Sequence, residues 1–175
     1  MKYKDLVKFT SSSTMYHINV NWCDLEEHIK HIYSKDIYSV EFDPDFQRGH
    51  VWSTEDSIKY VEFKLKGGFG ADHIFWNCAG WQEDYEGPYQ LVDGLQRLTA
   101  VRKFLSDEIP AFGHYRSEFE GNIPSYCQFD WYVHNLRKKS DVLKWYLELN
   151  EGGIIHTDKE IERVRNLLDT ELNKK

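Results

Sequence analysis

Two glutamine–arginine pairs stand at points where a strand is predicted to give way to a helix. The first pair is Gln47 and Arg48, in the segment DPDFQRGHVW, and the second is Gln96 and Arg97, in the segment YQLVDGLQRLTAV. Arginine offers a planar fork of charged donors that suits phosphate, and glutamine adds neutral donors. Two such pairs at two strand-to-helix junctions predict that both segments converge on one polyanion.

Asp93 and Gly94 come directly before the predicted helix that carries the second pair. The first-turn amides of a helix have no partners within the helix, and the helix dipole favours an anion there. Glycine lets a ligand approach the backbone closely. The carboxylate of Asp93 can ligate a magnesium ion that bridges phosphates, or it can orient a water. The segment therefore has the composition of half a nucleotide or phosphodiester site.

The same residues also fit a purely structural role. Asp93 could cap the helix, Gly94 could make the turn, and Arg97 could pair with a surface acid. The first pair equally fits a surface loop that Phe46 and Trp52 anchor in the core. The residues alone leave both interpretations open.

Strands and helices are mixed around these segments without regular alternation, which predicts an α+β fold with a mixed sheet and packed helices. Short or alternating apolar runs predict strands over 15–20, 37–42, 73–79, 89–92 and 127–135. The third and fourth strands flank a turn and are expected to form a hairpin. Helical spacing predicts helices over about 22–34, from 54 to the glycines at 67–68, and over about 95–106, 140–150 and 158 onward.

Capping residues mark several helix starts. Ser53 with Asp56, and Thr157 with Glu160, match the capping-box pattern, and Ser140 is predicted to cap another helix. The last helix has Ile161, Val164, Leu168 and Leu172 on one face, and it is expected to pack on the core through Ile161, Val164 and Leu168.

Composition and charge limit the class of protein. The 175 residues are 41% hydrophobic and 15% aromatic, which fits one folded domain and excludes a disordered chain. The formal net charge of −7 weighs against a protein that wraps DNA through basic residues. Cys23, Cys78 and Cys127 show no CxxC spacing and are expected to be buried thiols. With neither a signal peptide nor a membrane-length apolar run, we expect a cytoplasmic protein with no membrane partner.

Three ordered motifs resemble those of ParB-like domains of the GmrS type, the proteins with the DGQQR motif. In that family a Pro-x-Phe-Gln-Arg…Trp segment precedes a Val-Asp-Gly-Gln-Gln-Arg-Leu-Thr segment, and this chain has PDFQRGHVW followed by LVDGLQRLTAV. The later LELNEGGIIHTDKEIERV is similar to the family's Leu-Asn-x-Gly-Gly segment and the helix after it. Together the motifs cover most of 42–168.

This resemblance implies a ParB/sulfiredoxin-like fold over 1–175 as a single domain, with a C-terminal helical segment at about 140–175. It implies that nucleoside triphosphate (NTP) is bound and often hydrolysed with Mg²⁺, and that the domain regulates a nuclease in restriction or anti-phage systems. Residue by residue, it implies phosphate or nucleotide binding by Gln47, Arg48, Gly94, Gln96 and Arg97, a catalytic set of Arg48, Asp93, Gln96 and Arg97, and metal binding by Asp93.

One position departs from the family pattern. Leu95 stands where the family usually has the first of two glutamines, and an apolar side chain cannot donate to phosphate. If that glutamine positions the attacking water, hydrolysis here would be slow or absent while binding survives.

No nuclease module follows the last motif in this sequence. DNA cleavage would therefore need a separate nuclease subunit or this domain itself.

Three functions stay open at the level of the sequence. The leading hypothesis is a Mg²⁺-dependent NTP hydrolase or an NTP-gated regulator, which works by positioning and charge neutralisation. The second is a DNA nicking endonuclease, in which the arginines hold a DNA phosphate and a metal on Asp93 activates water. The third is a non-catalytic phage or defence interaction module that keeps only the fold, which Leu95 favours.

Overall fold

A computed structural model describes residues 15–34, 39–47, 49, 51–81, 88–151 and 158–174. Its strands are β1 (Tyr16–Asn21), β2 (Val40–Glu41), β3 (His73–Cys78), β4 (Tyr89–Asp93) and β5 (Gln128–His134). Its α-helices are α1 (Leu25–Ser34), α2 (Thr54–Leu65), α3 (Leu95–Leu105), α4 (Lys139–Glu151) and α5 (Asp158–Asn173). The protein is therefore a mixed α+β structure, as the sequence predicts.

The five strands form one mixed sheet in the order β1-β5-β3-β4-β2. β1 and β5 pair antiparallel, β5 and β3 pair parallel, and β4 and β2 pair parallel. β3 and β4 pair antiparallel, which confirms the predicted pairing of these neighbours. A register shift between Phe75 and Trp76 sets Asp93, the last residue of β4, opposite Phe75.

Helices pack on both faces of the sheet, because successive strand side chains point to opposite faces. On one face α1, α2 and α3 bury a large core that includes Ile74 and Trp76 of β3 and Phe129, Trp131 and Val133 of β5. On the other face α4 and α5 bury a second, smaller core that includes Phe46, Val92, Leu143, Tyr146 and Val164. The segment before α2 contributes Phe46 to this second core.

The starts of α2 and α4 test the capping residues predicted from the sequence. At the start of α2 the Ser53 hydroxyl accepts from the Asp56 amide at 3.0 Å, and the Asp56 carboxylate accepts from the Ser53 amide at 3.2 Å. The predicted capping box is therefore confirmed. The prediction that Ser140 caps α4 is wrong, because α4 begins at Lys139 and the Lys138 carbonyl accepts the first backbone hydrogen bonds.

The predicted packing of α5 on the core is confirmed. Val164 is fully buried in the second core, and Ile161 and Leu168 pack against it. Leu172, one turn further along the same face, is 56% exposed and lies beyond the end of the core. The predicted Thr157–Glu160 capping box lies outside the side chains that the structure describes.

The cysteines differ in their surroundings, and all three are free thiols. Cys78 and Cys127 are buried, and burial raises the pKa of each thiol to about 11. Both therefore stay protonated and unreactive at neutral pH. Cys23 is exposed, so the expectation that it is buried is wrong. Within the described ranges, none of the helices has both the length and the apolar character needed to span a membrane.

Candidate functional site at the β4–α3 junction

The turn from β4 into α3 is built on Gly94. Its φ of 108° lies in the left-handed region, which a residue with a side chain adopts only under strain. A Cβ at this position would lie 2.5 Å from Ile74 Cδ1 and 3.3 Å from Ile74 Cα, on the neighbouring strand β3. Conformation and space therefore both require glycine here, and these requirements hold without any ligand.

This turn brings Asp93 and Arg97 together as an ion pair. Arg97 Nη2 donates to Asp93 Oδ2 at 2.8 Å and to the His73 carbonyl at 2.9 Å. Arg97 Nε is buried and has no hydrogen-bond partner among the described residues. The two side chains are 22% and 35% exposed, so solvent still reaches both. The pair therefore places a charged hydrogen-bond donor next to a carboxylate at a partly exposed position.

The positive charge of Arg97 also acts on Tyr60 of α2. Burial raises the pKa of the Tyr60 hydroxyl well above its ordinary value, and the charge of Arg97 opposes part of that rise. The hydroxyl donates to the Ala71 carbonyl at 2.8 Å. Tyr60 therefore stays protonated near neutral pH and acts as a hydrogen-bond donor rather than as a base.

Gln96 connects the second Gln-Arg segment to the first. Its Oε1 accepts from the Val51 amide at 2.9 Å and from the Trp52 amide at 3.1 Å, and its Nε2 donates to the Gly49 carbonyl at 3.2 Å. One side chain thus satisfies three backbone groups of the segment before α2. The two segments that were expected to converge lie side by side.

Gln47 makes a second connection between the two segments. Its side chain is 7% exposed, and Nε2 donates to the Val92 carbonyl at 3.2 Å and, more weakly, to the Leu91 carbonyl at 3.4 Å. A buried amide of this kind must have partners, since an unpaired one costs free energy. Gln47 therefore ties the loop to the end of β4, next to Asp93.

Arg163 of α5 holds the same loop from the other side. Its guanidinium donates to the carbonyls of Asp45, Phe46 and Gln47 at 2.9, 3.2 and 2.9 Å. Lys139 of α4 forms an ion pair with Asp45. Sequence reasoning missed Arg163, because nothing in its local pattern distinguishes it from a surface arginine.

The structure therefore brings Gln47, Asp93, Gly94, Gln96 and Arg97 to one region. Arg48 lies outside the described residues, so its place beside Asp93 and Arg97 stays a prediction. Leu95, the departure from the family motif, packs partly buried against the larger core. The two glutamine side chains contact backbone, which makes them positioning residues in this structure.

Asp93 is the candidate metal ligand at this site. Among the described residues no group of three or more histidine, cysteine, aspartate or glutamate side chains is arranged to hold a metal ion. Mg²⁺ is commonly bound by one or two protein carboxylates together with substrate phosphates and waters. A single carboxylate such as Asp93 fits a Mg²⁺ that arrives with a nucleotide, and it does not fit a metal site made of protein ligands alone.

Comparison with known proteins gives no match to a protein-family model, to a curated protein or to a solved structure. The resemblance to ParB-like domains of the GmrS type therefore depends on the three motifs themselves.

Proposed function

We propose that the protein is a nucleotide-binding domain of the ParB/sulfiredoxin-like kind, in which the β4–α3 junction binds the phosphates of an NTP with Mg²⁺. The observation that carries the proposal is the set of three bonds by which Gln96 holds the Gly49–Trp52 backbone. These bonds support the proposal, because they tie backbone that follows the first Gln-Arg pair to the helix that carries Arg97. A partly exposed arginine and a partly exposed carboxylate at a helix start match the chemistry of a phosphate with its cation.

Arg97 is the phosphate-binding residue in this proposal. Without a ligand its Nη2 donates to Asp93 and to a backbone carbonyl, while its buried Nε has no partner in the described part of the chain. A phosphate oxygen would replace Asp93 as the acceptor, and a small shift of the guanidinium would give Nε an acceptor too. Hydrogen bonds from a charged donor contribute about 1.5–3 kcal/mol each. Asp93, released from Arg97, would then face the Mg²⁺ that accompanies the phosphates.

The engaged glutamines favour slow or gated turnover over rapid hydrolysis. The amides of Gln47 and Gln96 are bound to backbone, and Leu95 is apolar and packed on the core. None of these three side chains is placed to orient an attacking water as it stands. We therefore favour an NTP-gated regulator of a restriction or anti-phage system, with a separate nuclease subunit as its partner, over an efficient NTP hydrolase.

Two assays on the wild type and on Asp93→Asn test this proposal. We expect each NTP with Mg²⁺ to release phosphate slowly or not at all, any release to be lost in Asp93→Asn, and supercoiled plasmid to stay intact. Asparagine keeps the shape of the side chain, so the variant should fold. Plasmid nicking that Asp93→Asn abolishes would instead support the endonuclease. Absence of nicking, together with no binding of any NTP in a calorimetric titration, would support the non-catalytic interaction module.

A further inference from the structure

Phe69 projects fully into solvent from the loop between α2 and β3. It is 99% exposed and stands between Gly68 and Gly70. A single exposed apolar side chain is common on protein surfaces and needs no explanation by itself. What needs an explanation here is that the backbone of the surrounding loop is fixed.

A buried lysine fixes the backbone on both sides of Phe69. Lys64 is 3% exposed, and its Nζ donates to the Gly68 carbonyl at 2.7 Å and to the Gly70 carbonyl at 3.3 Å. The same ammonium group forms an ion pair with Asp72. Lysine is almost never fully buried unless it is paired, because removing its charge from water is costly. Lys64 thus holds the backbone on both sides of Phe69, which lowers the backbone entropy lost when the ring binds.

Other exposed aromatic side chains surround this loop. Phe63 and Tyr126 are 47% and 52% exposed, and Phe112 is 42% exposed. The Phe63 ring lies against Gly68, and the Lys66 ammonium lies 5.0 Å from the centre of the Phe112 ring. We call Phe63, Phe69, Phe112 and Tyr126 the aromatic surface.

A mainly apolar cavity of about 250 Å³ opens beside the aromatic surface. Phe112 belongs to both features, and the other apolar lining residues include Leu65, Phe104, Phe119, Ile123 and Pro124. A cavity of about 150 Å³ lined by apolar side chains can accept a benzene ring. This cavity is therefore large enough to take a phenylalanine side chain.

We propose that the aromatic surface pairs with a second copy of this chain, and that Phe69 of each copy enters the cavity of the other. A twofold interface uses the same patch on both subunits, so that patch must be complementary to itself. A fixed protruding aromatic ring next to an apolar cavity meets this requirement. A buried aromatic side chain in a pocket is also the usual form of an interface hot spot.

The charges around the cavity also suit self-pairing. Arg116 and Glu120 line it, and Lys66 lies beside Phe112. Both signs are therefore present within one patch, so two copies can place opposite charges against each other. A patch of one sign would instead repel its own copy. Self-association at this surface does not require nucleotide binding at the β4–α3 junction.

Sedimentation equilibrium of the full chain tests the pairing. We expect a concentration-dependent dimer, and we expect Phe69→Ser to raise its dissociation constant at least about thirtyfold, as for an interface hot spot. Leu172→Ser is the matched control, since it removes an exposed apolar side chain from α5 and should leave the constant unchanged. Because both side chains are exposed, both variants should fold, and circular dichroism checks this.

A second variant tests whether the cavity is needed for the dimer. Asn122 is exposed at the cavity, and Asn122→Trp should block it and weaken the dimer as Phe69→Ser does. An equimolar mixture of the two variants keeps one of the two contacts and should associate more tightly than either variant alone. A wild type that stays monomeric at every concentration would overturn the proposal. So would a dimer that Phe69→Ser leaves intact, or one that Leu172→Ser weakens equally.

Discussion

Gly94 is the residue on which the β4–α3 junction depends most. Gly94→Ala should destabilise the protein, because the left-handed φ costs about 1–3 kcal/mol for a residue with a side chain and the new Cβ would meet Ile74 at 2.5 Å. Gly113→Ala is the control: its φ is 79°, but no heavy atom lies within 4 Å of the added Cβ. Urea unfolding of both variants separates strain from steric clash. Equal losses of stability would contradict the importance of the Ile74 contact.

At this scale the sequence identifies residue types but not the direction of side chains. Gln47 and Gln96 were interpreted as phosphate ligands, and the structure directs both amides to backbone groups. A glutamine amide offers the same donors and acceptor to a phosphate as to a peptide group, so its identity cannot distinguish the two. Arg163 shows the converse, since its three backbone acceptors come from a loop more than a hundred residues away in the chain.

Elements with local signals could be predicted from the sequence. The signals for the Ser53–Asp56 capping box and for the strands β3 and β4 come from residues close together in the sequence. The capping box and both strands are present in the structure. The Ser140 cap failed because α4 begins at Lys139, two residues before the start that a Ser140 cap would give. The strand order β1-β5-β3-β4-β2 follows from the packing of distant segments, such as the pairing of β1 with β5, for which no local signal exists.

The packing of α5 gives a prediction at the scale of the element. Val164→Ala should lower the free energy of unfolding by roughly 2 kcal/mol, because two buried methyl groups are lost from the second core. Leu172→Ala on the same helix should change it by less than about 0.5 kcal/mol, because that side chain is 56% exposed. Thermal or urea unfolding measures both. A Val164→Ala protein as stable as the wild type would show that α5 does not support the core.

Stability of the whole molecule should depend on pH through His134. This side chain is 4% exposed, packs 4.3 Å from the Trp145 ring, and its Nδ1 has no hydrogen-bond partner among the described residues. Burial lowers its pKa below the ordinary value of 6.5. Below about pH 6.5 the His134 imidazole binds a proton in the unfolded chain, whereas in the folded protein it stays neutral until the pH reaches its lowered pKa. Stability should therefore fall as the pH drops from 6.5 toward the folded pKa, by up to about 1.4 kcal/mol per pH unit.

Unfolding of the wild type and of His134→Phe at pH 7.5 and at pH 5.5 measures this contribution. Phenylalanine can pack against Trp145 but does not titrate, so the variant should lose less stability than the wild type on acidification. His28→Gln is a parallel test, because burial also lowers the pKa of His28, with the charge of His31 as a smaller cause. Equal losses in the wild type and in His134→Phe would show that His134 does not carry the effect.

Nucleotide binding at the β4–α3 junction is the proposed function of the protein. Calorimetric titration of NTP with Mg²⁺ into the wild type, Arg97→Ala and Arg102→Ala tests it directly. Arg102 lies on the same helix and pairs with Glu26 away from the junction, which makes it the matched control. We predict binding to the wild type and to Arg102→Ala, with affinity reduced about tenfold to a hundredfold in Arg97→Ala, since one or more charged hydrogen bonds are lost. Equal affinity in all three proteins, or no binding of any NTP to the wild type, would contradict the claim.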